Sequence, residues 1–72
     1  MTTVDARGLA CPLPLALAKR EMARLGPGDE LVVLATDPEA PIDLAAWADE
    51  AGHRYRELRR HGFDELVITH GG

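Results

Sequence analysis

The sequence predicts a two-layer α/β sandwich: a mixed sheet of about four strands with two helices on one face. Three observations carry this. Residues 15–25 place apolar side chains at helical spacing. Leu31-Val32-Val33-Leu34-Ala35 is a continuous apolar run between turn signals. Gly52 and Gly62 bracket a charged segment that precedes a second apolar run. An order of strand, helix, strand, helix, strand, strand follows, and it implies parallel neighbours joined by right-handed crossovers. The far sheet face is then left to water or to a partner.

Thr2-Thr3-Val4-Asp5-Ala6 is short and partly β-branched and reads as the first strand. Arg7-Gly8-Leu9-Ala10 connects it to a helix from about Pro12 to Leu25, with Gly8 free to adopt a backbone closed to other residues. Leu15, Ala18, Met22 and Leu25 form that helix's apolar stripe. Gly26-Pro27-Gly28-Asp29 stops it. The run from Glu30 to Thr36 reads as a buried central strand. Asp37-Pro38-Glu39-Ala40-Pro41 leads into a second helix, its two prolines suiting an entry and not an interior. Leu44, Trp47, Ala48 and Ala51 give that helix its inner face, and Gly52 ends it. His53 to Arg60 reads as a strand, with Gly62 in a hairpin leading to Glu65-Leu66-Val67-Ile68-Thr69. His70-Gly71-Gly72 reads as a loose tail.

Composition narrows the function. The 72 residues make one domain (residues 1–72), and 11 of its 33 apolar residues are Ala, so the core is thin. An enclosed cavity of several hundred cubic ångströms is not expected, and chemistry belongs at the surface. No run is long enough to span a membrane, and no signal peptide is expected. A single cysteine excludes an internal disulfide and fits the cytoplasm. A net charge of −4 argues against general nucleic-acid binding. His53, His61 and His70 lack metal-ligand spacing, so no metal site is expected.

Cys11, in Cys11-Pro12-Leu13-Pro14, is the candidate catalytic residue. At the head of a helix it meets the positive end of the macrodipole and free N–H groups, so its pKa is expected to be lowered. A persulfide, also anionic, would suit the same place. Pro12 is expected at the first helical position and Pro14 within the first turn, where missing N–H groups cost nothing. The two rings flanking Leu13 stiffen the entry. Arg54, Arg56, Arg59 and Arg60 suit a charged edge strand that discourages aggregation. Asp37 is a candidate cap for the second helix, and Trp47 is expected in the core.

These segments resemble the TusA family, also called SirA-like or YeeD-like proteins. The resemblance rests on Asp5-Ala6-Arg7-Gly8-Leu9-Ala10-Cys11-Pro12-Leu13-Pro14, on Gly28-Asp29, on Ala35-Thr36-Asp37-Pro38 with Asp43 following, and on Gly52-His53. It covers nearly the whole chain. It implies a β-α-β-α-β-β sandwich similar to the C-terminal domain of translation initiation factor three. It also implies sulfur relay, in which Cys11 receives a sulfane sulfur as a persulfide and hands it on. Gly8, Pro12 and Pro14 support the motif. The donor would be a cysteine desulfurase or rhodanese and the acceptor a DsrE- or TusD-type protein. The routes served are tRNA thiolation, molybdenum-cofactor supply or sulfur oxidation. No cofactor is implied. Leu13 and Leu17, which point away from the apolar stripe on a helical wheel, are candidate docking residues together with Lys19 and Asp37. Many members carry a basic residue where this chain has Ile42. Competing readings are a non-relay docking or regulatory module, an accessory of thiosulfate uptake, and a small RNA-binding domain.

Overall fold

The computed structural model describes residues 2–71. Six elements follow one another: β1 (Thr2–Ala6), α1 (Leu13–Met22), β2 (Glu30–Ala35), α2 (Ala40–Ala51), β3 (Arg54–Arg60) and β4 (Phe63–Thr69). The predicted fold class and element order are borne out.

The sheet order is β1-β2-β4-β3. β1 and β2 pair in parallel, with Val4 opposite Val33, and β4 pairs antiparallel with both β2 and β3. The expectation of two parallel neighbouring pairs therefore holds only for the first. β4 inserts between β2 and β3. The reason lies in the side chains. Leu66, Val67 and Ile68 are buried and belong at the centre, whereas β3, with Arg54, Arg56, Arg59 and Arg60, tolerates only an edge. Arg59 reaches Asp64 at 3.4 Å and Arg60 reaches Glu65 at 3.1 Å across the β3–β4 pair.

Strand alternation separates two faces. Val4, Ala6, Leu31, Val33, Ala35, Leu66 and Ile68 pack with Ala18, Met22, Ala40, Leu44 and Ala48 of the helices in one core. The small alanines on both helices let the backbones sit close to the sheet. Val32, Leu34, Phe63 and Val67 point the other way, onto the face without helices. An open concavity of about 320 Å³ lies on that face, lined by Glu30, Arg54, Tyr55, Arg56, Val67 and Thr69. It sits toward the start of β2, away from Cys11.

Several local expectations are corrected. α1 ends at Met22 and not at Leu25, because the chain turns at Ala23 and Arg24 before Gly26. Pro12 is the N-cap and not the first helical residue, which is Leu13. Pro14 does more than stiffen the entry: it is fully buried and part of the core wall. In α2, Leu44 and Ala48 are buried, but Trp47 is only half-buried and Ala51 is exposed, since the helix is already leaving the sheet at its last turn. β4 begins at Phe63, two residues before the expected start, because the hairpin turn needs only His61 and Gly62.

The end of the described chain is held by hydrogen bonds. The His70 N–H donates to the Asp29 carbonyl (2.8 Å), the Gly28 N–H to the His70 carbonyl (2.9 Å), and the Gly71 N–H to His53 Nδ1 (3.0 Å). His53 also stacks edge-on against Trp47 and lies beside His70. Burial and the neighbouring His70 lower its pKa. Of the expected loose tail, His70-Gly71-Gly72, the first two residues make these hydrogen bonds, and Gly72 lies outside the described residues.

Candidate functional site

Because β1 and β2 run parallel, the loops that leave them emerge at the same end of the sheet. The β1–α1 loop carries Cys11 and the β2–α2 loop carries Asp37. Gly8 joins the two: its φ of +81° takes the left-handed region open to glycine, and its N–H donates to Thr36 Oγ1 at 2.9 Å. That turn sends residues 9–12 across the end of β2 toward the start of α2.

There the Cys11 backbone N–H donates to Asp37 Oδ2 at 2.6 Å, and the thiol Sγ–H donates to Asp43 Oδ2 at 2.9 Å. Asp37 Oδ1 accepts the Glu39 N–H at 2.8 Å, and the Asp37 carbonyl accepts the Ala40 N–H at 3.1 Å. One aspartate thus shapes the entry to α2 and anchors the cysteine loop. It acts as an Asx turn and not as the N-cap, which is Glu39. These two backbone N–H groups, the Glu39 one first, lower the Asp37 pKa. Asp43 stands in the first turn of α2, where a negative charge suits the helix macrodipole. Cys11 itself is exposed.

The electrostatics reverse the sequence expectation. The Cys11 thiol is pushed up to about 11, first by its hydrogen bond to Asp43, then by partial desolvation and by the charges of Asp43, Asp37 and Glu39. The head of α1 offers few free donors. Pro12 and Pro14 have no N–H, and the Leu13 N–H is already bound to the Ala10 carbonyl at 2.9 Å. The prolines that mark the site remove the donors that would have favoured a thiolate there.

The other candidate residues fall into separate groups. Leu13 is half exposed, at 50%, and Ile42 is exposed, at 63%. Leu13 lies two residues beyond Cys11 and Ile42 directly precedes Asp43 along the chain. Leu17 was expected to point away from the core, but it is half-buried and packs against it. Lys19 is exposed on the flank of α1 away from Leu13 and Leu17, so the structure does not gather it with them. Among the described residues no group of three His, Cys, Asp or Glu side chains is arranged to hold a metal. Thr36, Glu39 and Asp43 lay outside the expected site. The available signal was topological: acidic residues after β2 must meet a cysteine that follows a parallel β1.

This arrangement, a surface thiol at the carboxyl ends of two parallel strands, defines a small thiol-bearing α/β domain. The chain belongs to the TusA family: the model of that family, described as sulfurtransferase TusA, matches residues 2–69. A putative sulfur carrier protein of Neisseria meningitidis is 42% identical over 69 residues, covering 94% of this chain and 93% of its own. The sulfur carrier protein TusA of Allochromatium vinosum is 39% identical over 59 residues, covering 82% and 78%. The crystal structure of a SirA-like protein from Desulfitobacterium hafniense superposes with a TM-score of 0.90 at 32% identity, over 100% of both chains.

Proposed function

We propose that this protein is a sulfur carrier in which Cys11 takes up a sulfane sulfur as a persulfide and passes it to an acceptor protein. The observation that carries the reading is the exposed Cys11 thiol, held by loops from two parallel strands in a chain of the TusA family. A carrier needs its sulfur at the surface, where a donor and then an acceptor reach it in turn, and Cys11 is there. Leu13 and Ile42 are exposed apolar side chains near Cys11 and Asp43 in sequence, and a partner packs against them. The donor is a cysteine desulfurase or rhodanese and the acceptor a DsrE- or TusD-type protein, acting in the cytoplasm. Gly8 positions the loop, Pro14 anchors it in the core, and Asp37 fixes the Cys11 backbone.

Transfer follows the logic of thiol–disulfide exchange. Sulfur Sγ of Cys11 attacks the outer sulfur of a donor persulfide, and the donor's inner sulfur leaves with the electron pair of the broken bond. An acceptor thiolate later attacks the outer sulfur now on Cys11 and releases it. Incubation with a donor persulfide or thiosulfate, followed by intact-mass measurement, tests the reading. The expected result is a reductant-labile gain of one sulfur atom that Cys11→Ser abolishes. No gain with any donor, together with partner binding that survives Cys11→Ser, would leave a docking module instead.

A further inference from the structure

We propose that Asp43 is the proton shuttle of Cys11: its carboxylate aims the sulfur, takes the thiol proton as Cys11 attacks a donor persulfide, and returns it to the departing donor sulfur. The inference rests on the sulfur-carrier reading and assigns that reaction a second residue.

Geometry selects Asp43 from the three nearby carboxylates. Asp43 Oδ2 lies 2.9 Å from Sγ and accepts its hydrogen. Asp37 already uses both oxygens on backbone N–H groups, those of Cys11 and Glu39. Glu39 is exposed and acts on the sulfur through charge alone. The first turn of α1, residues 13–16, carries no charged side chain. Asp43 is also firmly placed, because its neighbours Ala40 and Leu44 are 2% and 0% exposed. The shuttle answers a need that the site itself creates. With the thiol pushed up to about 11, very little preformed thiolate exists near neutral pH, so attack requires the proton to leave as the bond forms.

The step balances without an outside reagent. Cys11–SH and a donor R–S–SH yield Cys11–S–SH and R–SH. A bond forms between Sγ and the donor's outer sulfur, and the donor's sulfur–sulfur bond breaks. Its electron pair stays on the inner sulfur, which becomes a thiolate. Asp43 then gives that thiolate the proton it took from Sγ. No oxidant or reductant is consumed.

Two rates measured on the full chain test this, because they are expected to move in opposite directions in Asp43→Asn. Iodoacetamide alkylation reports free thiolate and should rise at least about 10-fold near pH 7.5, since the main cause of the raised pKa is gone. Loading from glutathione persulfide, read by intact mass, should fall about 10-fold or more and should then follow the thiolate fraction as pH rises. Asp43→Glu should recover part of the loading. An Asp43→Asn protein that loads faster, or one in which both rates are unchanged, overturns the proposal. If that variant does not fold, loading of the unaltered protein in heavy water decides: slowing supports a proton in flight, and an unchanged rate overturns it. Unaltered protein that alkylates at Cys11 but takes up no sulfur overturns the carrier reading itself, a result distinct from these.

Discussion

The alkylation rate of Cys11 in the unaltered protein should climb with pH far beyond the range of an ordinary thiol. An unperturbed cysteine on the same scale titrates near 9.0, so about 3% is thiolate near pH 7.5. A thiol held at about 11 is thiolate in only about 3 molecules in 10,000 at that pH. The predicted rate is therefore about 100-fold below that of an unstructured peptide carrying the same Cys-Pro-Leu-Pro segment. Shielding does not explain the difference, because the side chain is exposed. The assay is iodoacetamide labelling followed by intact mass, from about pH 7 to the highest pH at which circular dichroism shows the native fold. A midpoint at or below that of the peptide would refute the reasoning. It would mean that the helix end outweighs Asp43, Asp37 and Glu39.

Three further outcomes follow from the same structure. Leu66→Ala, at a fully buried position in the central strand β4, should cost ~2–5 kcal/mol by urea unfolding, much of the stability of so small a domain. Asp5, hydrogen-bonded by Arg7, is lowered to about 2, and Asp37 is lowered by backbone N–H groups. Their contributions to stability are complete above about pH 4 and are lost as pH falls through the folded-state values, so the urea midpoint should drop on acidification, less steeply in Asp37→Asn. Changing Leu13 or Ile42 to Asp should leave stability within ~0.5 kcal/mol, since both are exposed. Either change should slow sulfur exchange with a partner protein while uptake from a small persulfide stays comparable, if these exposed side chains serve docking.

Much of the fold was legible because its signals are local. The run Leu31–Ala35 and the glycines at 26, 52 and 62 set the elements to within a few residues. Periodicity identified Ala18, Met22, Leu44 and Ala48 as buried, and all four are. The departures lie where local patterns compete with packing. Leu17 looked outward on a helical wheel but reaches the core from the flank of α1. The second strand–helix–strand unit looked like a pair of neighbours. Its strands are parallel but separated, because the more apolar β4 takes the central place and the arginine-rich β3 goes to the edge.

For the candidate site, the sequence by itself determined the candidate thiol and its surroundings along the chain: Cys11 between a glycine turn and a proline-opened helix. Those features depend on neighbouring residues, and the structure keeps them. The charge state of the sulfur was decided only by the tertiary structure. Asp37 and Asp43 lie 26 and 32 residues beyond Cys11 and reach it only because two parallel strands deliver their loops to one end of the sheet. A helix start viewed alone favours a thiolate. Three carboxylates gathered beside a helix start whose prolines supply no N–H favour the thiol, and no local reading of Cys11-Pro12-Leu13-Pro14 contains that balance.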